Sequence, residues 1–110
     1  MIEAARKPVV ALDYELAQEM ASALGRLGRA LETALQALAA FDAGHDRAAL
    51  SAEAQQARRD LVAAAGHALW QFAIQREACG LRDSRQIMRD YRVPPEVQNS
   101  MGAVRRPAGR

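Results

Sequence analysis

Large apolar residues recur along the first third of the chain at Leu12, Leu16, Met20, Leu24, Leu27, Leu31, Leu35, Leu38 and Phe41. The steps are four or three residues throughout, which is the spacing of one helix face. At 100° per residue these nine side chains fall within an arc of roughly 140°. The opposite face carries Glu15, Gln18, Glu19, Ser22, Arg26, Arg29, Glu32 and Gln36. The pattern predicts a first helix from about residue 9 to about 42, with residues 1–8 as a short arm ending at Pro8. Gly25 and Gly28 interrupt it and each costs roughly 1 kcal/mol against Ala, so they mark a close crossing or a bend.

Asp42-Ala43-Gly44-His45-Asp46 is the first break. Gly44 suits a left-handed helix end, and Asp46 or Ser51 suits the cap of the next helix. A second helix is predicted from about residue 47 to Cys79, with Gly80 and Leu81 forming a Schellman ending. In its second half, Leu61, Val62, Ala65, Gly66, Leu69, Trp70, Phe72, Ala73 and Ile74 spread over more than half the circumference. A helix apolar over so wide an arc must be covered on two sides. Gly66, one turn before Trp70, is expected to make room for the indole.

The remainder predicts two short helices. One spans Ser84 to Tyr91, capped by Asp83 with Gln86 completing a capping box. The other spans Pro95 to Met101, opened by proline and ended by Gly102. The expectation is an all-α fold: an antiparallel hairpin of two long helices plus two short C-terminal helices, one domain over residues 1–102, and a disordered basic tail over 103–110. The short C-terminal segment covers only part of the hairpin. A homodimer resembling a four-helix bundle is therefore expected, closed about a two-fold axis. The flank Val62, Gly66, Trp70 and Ile74 is the expected interface, because a Trp in a small-residue groove is a typical anchor.

Composition agrees with a helical bundle. Half the residues are hydrophobic, a quarter are charged and 5% are aromatic. Ala is abundant, and it is the strongest helix former. The net charge of +2 implies no partner, but its distribution is uneven. Residues 1–75 hold seven basic and nine acidic groups, whereas residues 76–110 hold eight arginines and four acids. The single cysteine, Cys79, excludes an internal disulfide and a cysteine metal cluster. No basic-then-apolar leader and no apolar run of about 20 residues is present. A cytoplasmic protein is expected, with no membrane partner.

The segment from Ile87 to Val97 resembles the helix-turn-helix of bacterial transcription regulators. Ile87, Tyr91, Val93 and Val97 fill its apolar positions, with Arg92 where the motif usually has Gly. The resemblance covers about fifteen residues. It implies a nucleic-acid-binding regulator as the alternative function, with Arg82, Arg85, Arg89 and Arg92 as candidate phosphate contacts.

Nothing in the chain points to catalysis. His67 and Cys79 lie twelve residues apart on one helix, roughly 18 Å, too far for a nucleophile–base pair. Asp42, His45 and Asp46 carry ligand-type side chains, but a polar turn with helix caps accounts for them. Arg76 and Glu77 are expected to pair with Asp83, Asp90 or another arginine and so hold the C-terminal segment down. No catalytic, cofactor or metal residues are assigned. The expected function is protein–protein interaction, through self-association or an unknown protein partner.

Overall fold

A computed structural model of the chain describes residues 2–104, with side chains for residues 10–101. Four helices occur in order: α1 (Ile2–Ala43), α2 (Ala52–Ala78), α3 (Ser84–Asp90) and α4 (Pro95–Val104). They confirm the all-α expectation. Three boundaries differ from it. The stretch expected as an arm is helical from Ile2, because Glu3, Ala4, Ala5, Arg6 and Lys7 are good helix formers. Pro8 there forfeits one backbone bond, the one to Ala4. Residues 47–51 are not the start of α2: Arg47–Ala49 form a single 3-10 turn and α2 begins at Ala52. Both candidate caps are used. Asp46 Oδ1 accepts from the Ala48 amide at 3.0 Å, and Ser51 Oγ accepts from the Ala54 amide at 3.1 Å. Finally, α4 continues past Gly102 to Val104, while residues 105–110 of the expected tail lie outside the described residues.

The ending of α2 is the Schellman motif expected. Gly80 has φ +89°, and the Leu81 amide donates to the Arg76 carbonyl at 2.8 Å. α3 ends the same way without a glycine. Arg92 takes φ +51°, and the Val93 amide donates to the Met88 carbonyl at 3.0 Å. The predicted capping box is not formed. Asp83 accepts from the Arg85 amide at 3.1 Å, while Gln86 turns away to accept from Arg76 Nη2 at 3.3 Å.

α1 and α2 form the antiparallel hairpin. Asp42 pairs with Arg58, and Gly28 lies against Phe72, so position i of α1 faces roughly position 100−i of α2. The two-sided cover that α2 requires comes from α1 on one side and α4 on the other. α4 runs alongside α2 in the same direction, with Glu96 at Arg58 and Ser100 at Val62, both 38 residues apart. The core is built from Leu31 and Leu38 of α1, Ala65, Ala68, Leu69 and Phe72 of α2, and Ile87, Val93 and Val97 of the C-terminal pair. Fully burying a side chain of this size is worth about 1.5–3 kcal/mol.

Two glycines are contact points. A Cβ on Gly66 would collide with Ser100 Oγ and stand 3.2 Å from the Ser100 carbonyl carbon. The room Gly66 leaves is therefore for α4, not for the Trp70 indole. A Cβ on Gly28 would sit 2.7 Å from Tyr91 Oη and 3.4 Å from Phe72 Cζ. Tyr91 lies edge-on to Phe72 at 5.5 Å between centroids, so the α3–α4 turn straps across the hairpin at Gly28.

Candidate functional site

The register of the hairpin leaves α1 longer than its partner. The end of α2 at Ala78 faces about residue 22, so roughly 20 residues of α1 extend beyond it, about 30 Å. Every residue from 10 to 19 is exposed. Within that stretch Val10, Leu12, Tyr14 and Leu16 are 60–65% exposed. A lone exposed leucine is ordinary on a protein surface. At 100° per residue Leu12 and Leu16 continue the core-facing stripe of α1 past the end of α2, while Val10 and Tyr14 lie together on the opposite face, so the protruding helix carries an exposed apolar pair on each of two sides.

Where α1 re-enters the body, a groove of about 1160 Å³ runs between it and the α3–α4 turn. Gly25, Arg29 and Glu32 form its α1 wall, and Asp90, Tyr91 and Arg92 form the facing wall. In the single chain the Arg29 guanidinium folds back over the Gly25 notch, with Nη1 3.2 Å from where a Cβ would be.

Asp42 and Glu96, which also line the groove, belong to a charge cluster that the sequence pattern did not reveal. Arg58 is 8% exposed and is the one charged residue in the core among the described residues. Its Nε and Nη2 donate to the two Asp42 carboxylate oxygens at 2.7 and 2.9 Å. Its Nη1 and Nη2 donate to the two Glu96 oxygens at 2.9 and 2.6 Å. These short, paired bonds are the strong geometry for guanidinium and carboxylate. Hydrogen bonding to Arg58 holds both carboxyls below the ordinary carboxylate range, against the opposing effect of burial. The same bonds push the Arg58 guanidinium further toward its protonated form. The cluster ties the end of α1, the start of α2 and the start of α4 together. A signal for it was present in the sequence: Arg58 precedes Leu61, Ala65, Leu69 and Phe72 at helical spacing on the buried face.

The other residues singled out from the sequence take varied places. Val62 and Gly66 face α4, with the Val62 carbonyl accepting from Ser100 Oγ at 3.3 Å. Trp70 is half-buried and Ile74 is 43% exposed, so the four-residue flank is divided between the chain's own α4 and solvent. His67 is exposed, with its ring 6.0 Å from that of Trp70. Cys79 is half-buried beside Gln75. In the polar loop, Asp42 is committed to Arg58 and Asp46 to its cap. His45 stacks on Phe41 at 3.9 Å and donates from Nδ1 to the Phe41 carbonyl at 2.8 Å. No group of three or more metal-ligating side chains comes together among the described residues. Arg76 takes a different partner from those expected, Gln86, and lies over the Phe72 ring, while Glu77 is exposed.

Arg82, Arg85, Arg89 and Arg92 are all exposed along α3 and its ends. Arg85 pairs with Asp83 at 3.3 Å, which keeps that carboxyl below its ordinary range. On α4, which would be the reading helix of a helix-turn-helix, Glu96 is held by Arg58 and Gln98 Nε2 donates to the Val93 carbonyl at 2.9 Å. Among the described residues no helix is long and apolar enough to cross a membrane.

Fold and surface together define a small all-helical protein: a hairpin strapped by a C-terminal helix pair, with a protruding apolar helical arm and a groove at its base. The chain belongs to DUF6665, a family of unknown function, whose model matches residues 1–109. No curated protein and no solved structure matches it.

Proposed function

We propose that this protein is a helical self-association module, acting through protein–protein contact rather than catalysis. The observation that carries it is that Leu12 and Leu16 continue the core-facing stripe of α1 beyond the end of α2 and stay exposed. Burying such a side chain fully is worth about 1.5–3 kcal/mol, so at roughly 60% exposure each contributes about 1–2 kcal/mol. Two from each of two copies, the number that one face presents, give about 4–8 kcal/mol gross. Association itself costs about 4–15 kcal/mol, so the dimer is weak. The proposed interface is therefore on α1. The flank of α2 around Val62 and Gly66 serves α4 within the chain, and Trp70 and Ile74 stand opposite the inner part of α1, away from Leu12 and Leu16.

The nucleic-acid alternative rests on the exposed arginines of α3. Two polar residues of α4, Glu96 and Gln98, are already engaged within the chain, which supports the first proposal over the second. Sedimentation analysis of the full chain over a range of concentrations decides. The expected result is a concentration-dependent dimer that becomes monomeric on Leu12→Gln/Leu16→Gln, with unchanged helix content because both residues are exposed. Salt-sensitive binding to mixed-sequence DNA, lost on Arg85→Ala/Arg89→Ala/Arg92→Ala and accompanied by a monomer, would replace this proposal with the regulator.

A further inference from the structure

Leu12 and Leu16 are 63% and 60% exposed on the stripe that buries Leu31 and Leu38 further along α1. The spacing of four continues to Met20, which is half-buried where the hairpin begins. The stripe asks for cover of the kind that α2 gives the rest of α1, and α2 stops at Ala78. Its borders are acidic on both sides. At 100° per residue, Glu19 and Glu15 lie about 60° and 100° to one side of the centre of Leu12, Leu16 and Met20, and Asp13 lies about 60° to the other. Residues 10–22 hold these three acids and no base; the nearest bases along the chain, Lys7 and Arg26, lie outside that stretch. Glu19 reaches Arg26 at 3.6 Å, with both side chains well exposed. Asp13 and Glu15 have no base three or four positions away.

We infer that this stripe receives a cationic amphipathic helix of another protein, about three turns long, lying along α1 beyond the end of α2. The inference uses the same stripe as the self-association proposed above and goes beyond it. Leu12 and Leu16 call for an apolar row opposite them, and acids on both borders fix the sign of the residues that flank that row. A membrane surface or a nucleic acid, each negatively charged, is repelled by Asp13, Glu15 and Glu19. A second copy supplies the apolar half of the match but not the charged half. Because both borders are acidic, either orientation of two such stripes sets acid beside acid, which lowers affinity. The exposed arginines of a second copy, Arg82, Arg85, Arg89 and Arg92, lie along α3 and its ends, and α3 buries Ile87 in its own core. They therefore offer no helical apolar row for Leu12 and Leu16 to meet.

Exposed ion pairs each change an equilibrium by about two- to fivefold. Three favourable pairs in place of three repulsive ones therefore separate a cationic from an anionic helix by more than about tenfold. That preference weakens as salt rises, because the charges are exposed and are screened, while the apolar contribution remains.

Fluorescence anisotropy of the full chain with three labelled synthetic peptides of equal length tests the inference. The first peptide carries leucines at helical spacing flanked by lysines. The second carries the same leucines flanked by glutamates. The third is a scramble of the first, which keeps its charge and destroys its apolar row. The lysine peptide is expected to bind about tenfold or more tightly than either of the others, and to lose that advantage in Leu12→Gln/Leu16→Gln. Asp13→Lys/Glu15→Lys/Glu19→Lys is expected to reverse the preference, taking the glutamate peptide over the lysine peptide. All five positions are exposed, so circular dichroism should show both variants folded. A lysine peptide that binds no better than its scramble, or binds Leu12→Gln/Leu16→Gln equally well, would overturn the inference. So would a charge-reversed chain that still prefers the lysine peptide. Sedimentation of the chain alone reads self-association separately. A monomer that binds the lysine peptide in this way removes the dimer and supports the inference; a dimer that the lysine peptide fails to dissociate keeps the dimer and overturns the inference.

Discussion

Arg58 offers the sharpest test of how this fold is held. Arg58→Met keeps the length of the side chain and removes the guanidinium from between Asp42 and Glu96. Two carboxylates that shared one cation are then left side by side with none. Breaking a fully buried pair costs about 3–5 kcal/mol. The Asp42 and Glu96 side chains are 30% and 37% exposed and can turn partly to water, so the loss is discounted to about 2–3 kcal/mol. A protein of this size has about 5–15 kcal/mol in total, and each kcal/mol moves the melting temperature by about 4–8 °C. The melting temperature, read by far-ultraviolet circular dichroism, should therefore fall by about 10–20 °C near neutral pH. The pH dependence is set by the direction of the shifts. Both folded carboxyls titrate below their unfolded values, so their contribution is complete above about pH 4.5 and is lost as pH falls through the folded values. In the variant the stranded carboxylates accept protons readily, so the gap between the two proteins narrows below about pH 4. Asp42→Asn/Glu96→Gln added to Arg58→Met should recover most of the loss, because no uncompensated charge remains. An unchanged melting temperature, or a loss that is the same at neutral and acid pH, would refute the account.

Other substitutions have signs that the contacts decide. Gly66→Ala gains about 1 kcal/mol of helix propensity but drives a methyl into the Ser100 backbone, and overpacking costs about 1–3 kcal/mol. A net loss of up to about 2 kcal/mol is expected by urea denaturation, together with weakened protection of α4 amides from hydrogen exchange. Gly25→Ala, where the nearest atoms are the movable end of Arg29, should raise stability by up to about 1 kcal/mol in the monomer. Arg92→Gly should stabilise by about 1 kcal/mol in the same assay, because φ +51° is strained for any residue with a Cβ. Amides of residues 10–19 should exchange quickly in dilute monomer and become protected as concentration rises through the dimer range.

The periodicities of the chain determined a good deal. The apolar row from Leu12 to Phe41 defined α1, and the wide apolar arc from Leu61 to Ile74 required cover on two sides. Gly80-Leu81 set the end of α2, and Ser51 and Asp46 supplied caps. These are local decisions, made by helix propensity, terminal hydrogen bonding and which face is apolar, and they are written within a few residues of where they act. The tertiary structure decided the rest. Whether Gly66 accommodates Trp70 or Ser100 depends on where α4 comes to lie, and Gly66 and Ser100 are far apart in the chain. Arg58 was visible as a charge on an apolar row, but its partners Asp42 and Glu96 come from opposite directions along the sequence. The apolar row of α1 is continuous, so periodicity treats Leu12 and Leu31 alike. Only the meeting of two helices of unequal length shows that Leu31 is buried and Leu12 is not. Patterns along a chain report which face seeks cover; the length and placement of the covering element determine how much of that face is left for another molecule.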